Sequence, residues 1–255
     1  MKKAIIVTSC IDTDKNAPIF LKTYGRSAFS DEERLRHTVF TVTSLDHVVD
    51  EDTRIYLLDA SEDNEKYRDF FLYQKNLIYV PVKKLLPEAY KIARNHYQKT
   101  HCEATLLLSF LENFKDELKP YDYIIKLSGR YFVDSNFSLD LFNEANINKF
   151  FFKKPLTFEW EDHWNFEMVD RRAIQGDNYL YWYSSVLYGW GKGAHEKMMD
   201  MYRKIYDYTK PGAENQIYDF ETLFYYLTVE HRQDVIETDW IVFGWGGTTG
   251  QFFRY

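Results

Sequence analysis

Apolar and polar positions along this chain follow two different periods, and the switches between them mark out the elements. Residues 3–8 carry the short apolar run AIIV and end at Thr8-Ser9-Cys10, the pattern of a strand covered on both faces. A loop covers residues 11–29, and Ser30 with Glu33 then forms a capping box. Leu35, Val39, Val42 and Leu45 recur at roughly one turn each, which predicts a helix with an apolar stripe. Residues 53–58 (TRIYLL) return to a strand pattern and run into Asp59-Ala60-Ser61. Ser61 to Asn64 then caps a helix presenting Tyr67, Phe70 and Phe71. A strand over 77–81 follows, then a helix from Pro87 to about residue 98, with proline in its first turn. A strong amphipathic helix spans 102–118 and stops at Pro120.

In the second half, residues 149–153 (KFFFK) predict a short strand and 179–188 (YLYWYSSVLY) an aromatic one. Residues 189–193 look like a glycine-rich turn, 194–208 and 219–230 like helices, and 235–243 like a last strand before Gly244-Trp245-Gly246-Gly247. Strand and helix alternate through the first half. The expected class is therefore α/β, a mostly parallel central sheet flanked by helices, in one domain. Residues 1–135 would bind one substrate and 136–255 the other. Right-handed crossovers put the carboxyl ends of the early strands on one edge, where open α/β sheets bind ligands. Ser9, Asp59 and the segment Ser128 to Arg130 would share it.

Composition narrows the chemistry. The 255 residues include 21 Tyr, 20 Phe and 6 Trp, an aromatic fraction of 18% that suits a cleft for sugars, bases or headgroups. A net charge of −7 with no basic run argues against an extended nucleic-acid interface. Two distant cysteines, Cys10 and Cys102, match no metal spacing and fit a reducing compartment. The N-terminal apolar run is too short for a secretory signal, and nothing approaches the about 20 apolar residues of a membrane span. The expectation is a cytoplasmic protein, with peripheral contact at the inner face of the membrane left open. Phosphate-loop, nucleophile-elbow and dinucleotide glycine motifs are missing from the sequence, which removes kinases, serine hydrolases and Rossmann oxidoreductases.

The stretch 121–136, YDYIIKLSGRYFVDSN, concentrates the chemistry. It starts as a strand with Tyr123 and Ile125 on one face and Ile124 and Lys126 on the other. Ser128-Gly129 breaks the pattern and marks a bend or a close backbone approach. Lys126 and Arg130 flank that break, so a strand end there carries two cations suited to an anion, or else ordinary surface charges.

The order of elements resembles the GT-A fold of nucleotide-sugar glycosyltransferases. TRIYLLDAS resembles the strand that ends near the nucleoside, YDYIIKLSGRYFV the strand leading into the Asp-x-Asp motif, and YDFETLFYYL the helix with the acceptor-side carboxylate. The Lys-x-Ser-Gly-Arg-Tyr segment resembles that of small bacterial or viral capsule and lipopolysaccharide transferases. The resemblance implies transfer of a sugar from a nucleotide-sugar donor to a glycan or lipid-linked acceptor in surface polysaccharide synthesis. It also implies a departure. Ser128-Gly129-Arg130 stands where Asp-x-Asp would bind a metal, so no metal ligands are expected there and no cofactor is required, although Mg²⁺ or Mn²⁺ stays open. Arg130, helped by Lys126, would stabilise the leaving phosphate instead.

Thr8, Ser9, Arg34, Asp59, Lys126, Ser128, Gly129 and Arg130 are thus candidate donor-binding residues. Each has a structural alternative: strand-end packing for Thr8, a solvated helix charge for Arg34, an Asx-type cap for Asp59. Glu221, with Asp219 as second choice, would take the proton of the acceptor hydroxyl in an inverting reaction, or both simply favour a helix N-terminus. His163 and Trp164, together with Trp160, and more weakly Asp177, Trp182 and Trp245, would face the acceptor; a packed aromatic loop is the alternative. Two other functions fit parts of the pattern. One is a non-catalytic nucleotide- or carbohydrate-binding module, the other a nucleotidyltransferase, which would need carboxylates at the strand end.

Overall fold

The computed structural model describes residues 1–14, 27–159, 179–210, 219–247 and 249–254. Its first half runs β1 (Lys3–Ser9), α1 (Asp31–Thr43), β2 (Thr53–Asp59), α2 (Asn64–Arg68), β3 (Leu77–Pro81), α3 (Val82–Leu85), α4 (Pro87–Asn95), α5 (Lys99–Asn113), α6 (Lys115–Leu118), β4 (Tyr123–Ser128) and β5 (Tyr131–Val133). The second half adds β6 (Phe150–Lys153), β7 (Leu156–Glu159), β8 (Tyr179–Trp182), β9 (Leu187–Gly191), α7 (His195–Thr209), α8 (Phe220–Leu227), β10 (Val235–Thr238), β11 (Val242–Trp245) and β12 (Phe252–Arg254). Among the described residues the main sheet has seven strands in the order β10-β6-β9-β4-β1-β2-β3. β4, β1, β2 and β3 are parallel neighbours, β9 runs antiparallel between β4 and β6, and β10 is parallel to β6. This is the expected mostly parallel α/β sheet, and strands of both halves share it.

Strand alternation divides the core into two layers. Ile6, Tyr56 and Ile124 point into a layer with Leu107 and Phe110 of α5, Met198 and Tyr202 of α7 and Phe224 of α8. Ile5, Val7, Tyr123 and Ile125 point the other way, onto Val42 of α1 and Phe142, Phe151 and Trp240. The aromatic excess is therefore largely core: Trp190, Tyr123, Tyr183, Tyr188 and Tyr202 are among the largest fully buried side chains.

Several predicted boundaries move. Residues 102–118 form two helices, because Phe114 leaves helical geometry (φ −106°, ψ 20°) and α6 starts beyond it. The aromatic run 179–188 is two strands separated by a connector, and the glycine run after it stays in the sheet as far as Gly191 before a 3-10 turn. Gly191 is a strand residue, and its position calls for glycine because a Cβ there would run into the Ile147 carbonyl. Residues 235–243 divide between sheets: β10 closes the main sheet while β11 pairs with β5 and β12. The capping box of α1 forms, with Ser30 and Glu33 exchanging hydrogen bonds at 2.8 and 3.3 Å. At α2 the N-cap is Asp63, and Ser61 instead ties the β2 end to Ile11.

Candidate donor and acceptor site

The three strand ends predicted to share an edge do so by register. Ser9 lies opposite Asp59, and Thr8 opposite Ser128. At the end of β4 the Gly129 amide donates to the Thr8 carbonyl at 2.8 Å. A Cβ on Gly129 would sit 2.7 Å from that oxygen, so the approach of the two strands admits only glycine. The Thr38 hydroxyl donates to the Gly129 carbonyl at 3.2 Å and lies 2.9 Å from the Ser9 hydroxyl, so α1 holds the turn from its other side. The turn delivers Arg130 to a cavity of about 180 Å³, lined by Thr8, Ser9, Cys10, Arg34, Glu103 and Arg130 among others. A larger cavity of about 710 Å³ lies beside β3, lined by Arg68, Phe71, Tyr79 and Lys83 among others, and contains none of the predicted site residues.

Arg34 is not a solvated helix charge. It is 6% exposed on the inner face of α1, and its Nε donates to the Cys10 carbonyl at 2.6 Å while Nη1 donates to the Ser27 hydroxyl. Burial, then the nearby Arg130 guanidinium, lowers its pKa to about 10. Among the described residues Arg130 commits its Nε alone, to the Trp245 carbonyl at 3.4 Å, and no carboxylate pairs with it. Two like charges meet at one cavity, one turned inward and one whose outer nitrogens have no hydrogen-bond partner among the described residues, a charge arrangement complementary to an anion. His37, one turn from Arg34, stacks on Trp245 at 4.1 Å with rings 12° apart. Burial, Arg130 and Arg34 together lower its pKa to about 4, so it is neutral near pH 7. Burial likewise pushes the Cys10 thiol up to about 11, which leaves it protonated.

Two predicted donor ligands are committed elsewhere. Lys126 is fully buried. Its Nζ donates to the Ser128 hydroxyl and the Ser185 carbonyl, both at 2.7 Å, and forms an ion pair with Glu103, so its charge is compensated inside the protein. Contrary to expectation it does not line the cavity, whereas Arg34 and Arg130 both do. Asp59 is also fully buried. Its carboxylate accepts from the Ser61 amide and hydroxyl, Asn64 and Tyr79. Asp59 makes an Asx turn with the Ser61 amide and braces the loop after β2, but the cap of the next helix is Asp63.

On the other side of β4, Asp219 caps α8, accepting from the Thr222 amide at 2.6 Å. Glu221, two residues on, accepts from the Ser185 hydroxyl at 2.5 Å. Burial, with the neighbouring Asp219 carboxylate adding to it, raises the Glu221 pKa to about 7. Asp219 thus has the structural role proposed as its alternative, while Glu221 has the pKa of a general base working near neutrality. Trp245 is brought to the Arg130 side, against His37. Trp182, half-buried at the end of β8, opens the connector that leads to Ser185. His163 and Trp164, with Trp160 and Asp177, lie outside the described residues.

A scan against protein-family models and a search of curated proteins gave no match. Among solved structures, the chain is similar to core-mannan synthase A from Aspergillus fumigatus in an Mn/GDP form, at 11% identity and TM-score 0.54, covering 95% of this chain and 74% of that one. It is also similar to apo mouse xyloside xylosyltransferase 1, at 12% identity and TM-score 0.50, covering 94% and 85%. The fold is GT-A.

In a GT-A frame, the end of β4 is where a metal-binding Asp-x-Asp would stand. At the end of β4 the described residues offer a divalent cation no carboxylate of that motif. Ser128, Gly129 and Arg130 offer no carboxylate, and the nearby Asp134 accepts from Asn136. Among the described residues no group of three or more His, Cys, Asp or Glu is placed to hold a metal. No described helix is long and apolar enough to cross a membrane.

Sequence reasoning missed His37, Thr38, Glu103 and Ser185. The first two lie on the inner face of α1, which is polar where the apolar stripe of Leu35 and Val39 was expected to be most deeply buried. That polar row of Arg34, His37, Thr38 and Thr41 at helical spacing is itself a legible signal of a helix with a polar inner face. Glu103 and Ser185 carry no local signal, since α5 and the connector reach Lys126 only through the fold.

Proposed function

We propose that the protein is a glycosyltransferase that moves a sugar from a nucleotide-sugar donor to a glycan or lipid-linked acceptor in surface polysaccharide synthesis at the inner face of the membrane. Residues 1–135 supply the donor half and 136–255 the acceptor half of one domain. The observation that carries this is Arg34 and Arg130 meeting at one cavity on the carboxyl edge of a GT-A sheet. The donor diphosphate or phosphate lies against Arg130, with Arg34 behind it at the end of β1. Negative charge grows on the leaving phosphate as the glycosidic bond breaks. A fixed guanidinium stabilises that charge without reorganising. Glu221 takes the proton of the acceptor hydroxyl as the oxygen attacks the anomeric carbon from the opposite face, which inverts the configuration.

Thermal shift against UDP-, GDP-, CMP- and dTDP-sugars tests the donor. One donor should raise the melting temperature by several degrees, through mass action. Slow hydrolysis of that donor distinguishes an enzyme from a binding module. Activity in excess chelator is expected; a strict Mn²⁺ requirement would remove the cationic mechanism.

A further inference from the structure

A lysine fully buried in a central strand needs its ammonium satisfied within the protein. Lys126 meets that need by joining three elements: Glu103 of α5, Ser128 at the end of its own β4, and the Ser185 carbonyl in the connector between β8 and β9. The same connector grips Glu221. The Tyr183 amide donates to the Glu221 carbonyl at 3.3 Å, and the Ser185 hydroxyl donates to the Glu221 carboxylate. The connector is pinned to β4 as well, through the Ser128 amide on the Val186 carbonyl at 2.9 Å. Beneath it, Tyr188 places its ring 5.6 Å from the Lys126 ammonium and shares a 2.6 Å hydrogen bond with Tyr202.

We infer that Lys126, acting through Ser185, is a positioning residue that fixes and keeps ionisable the Glu221 carboxyl, rather than a ligand of the donor. The role of Glu221 as base rests on the glycosyl-transfer reading; the coupling itself does not. The groups around Glu221 are Asp219 on its own helix segment, Glu103 from α5, Tyr188 from β9, Ser185 from the connector and, through that residue, Lys126 from β4. Two of the neighbours are carboxyls, which disfavour ionisation of a third. The Ser185 hydroxyl favours it.

The test follows the Glu221 carboxyl itself, by infrared difference between the wild type and Glu221→Gln across a pH titration. The wild type should titrate near pH 7. Ser185→Ala removes a hydrogen bond to the ionised form and should raise the midpoint by about half to one pH unit. Lys126→Met should raise it in the same direction, and Glu103→Gln should lower it. Donor affinity by calorimetry should change less than about twofold in Ser185→Ala, while kcat at neutral pH falls and KM for the donor holds. An unchanged midpoint in Ser185→Ala overturns the inference, and so does one in Lys126→Met, or in Lys126→Gln should the methionine variant fail to fold. Shifted midpoints in a protein that transfers no sugar from any donor would support the coupling and refute the proposed activity.

Discussion

The imidazole of His37 lies flat on the indole of Trp245, 4.1 Å between centroids, at the point where α1 meets the end of β11. This contact closes the back of the Arg130 site, because the carbonyl of the same Trp245 receives the Arg130 Nε. The imidazole is held neutral by burial and by the two guanidiniums. An unfolded histidine titrates near 6.5, and His37 in the fold near 4. Between those values the unfolded chain binds the extra proton, so stability falls as pH drops from about 6.5 to about 4. The loss from this residue is bounded by about 3 kcal/mol. Urea midpoints at neutral and mildly acid pH should show a steeper acid loss in the wild type than in His37→Gln.

Arg130→Ala should leave the fold intact, since the side chain makes one long hydrogen bond. It should lower kcat/KM for the donor by about 10²-fold or more, the scale of losing one fixed donor to a developing oxyanion. Arg130→Lys should recover only part of this, because a point charge does not reproduce the planar fork. Equal donor binding and turnover in Arg130→Ala, by calorimetry and steady-state kinetics, would exclude the phosphate role.

Glu221 predicts the shape of the pH profile. A base must be ionised to accept a proton, so kcat should rise with pH through about 7 and level off above it. Glu221→Gln keeps the shape, abolishes that limb and should lower kcat by about 10²- to 10⁴-fold. Near-normal turnover in this variant would leave Glu221 as no more than a helix-start residue.

Gly129→Ala should destabilise the protein by about 1–3 kcal/mol, because its methyl group meets the Thr8 carbonyl at 2.7 Å and backbone must shift. The same shift turns Arg130, so donor affinity should fall together with the melting temperature. A variant as stable as the wild type that still binds donor normally would show that the turn has slack.

Residue pattern by itself determined most of the elements and their class. Apolar runs and helical spacing depend on neighbours within a few residues, and so do the Ser30–Glu33 box and Pro87 at a helix start. The parallel sheet then put Ser9, Asp59 and Ser128 on one edge. It also placed Arg130 where a metal motif would be. Only the tertiary structure decided which charges face the cavity and which face the core. Lys126 and Arg130 are four residues apart and read alike, yet strand alternation sends Lys126 into the layer below the sheet, onto Glu103 and Ser185, while the Gly129 turn carries Arg130 out to Trp245. Arg34 reads as a surface charge on its helix until packing turns its face inward. Whether an ionisable group binds a ligand or braces the fold depends on partners distant in the chain, and those partners exist only once the chain has folded.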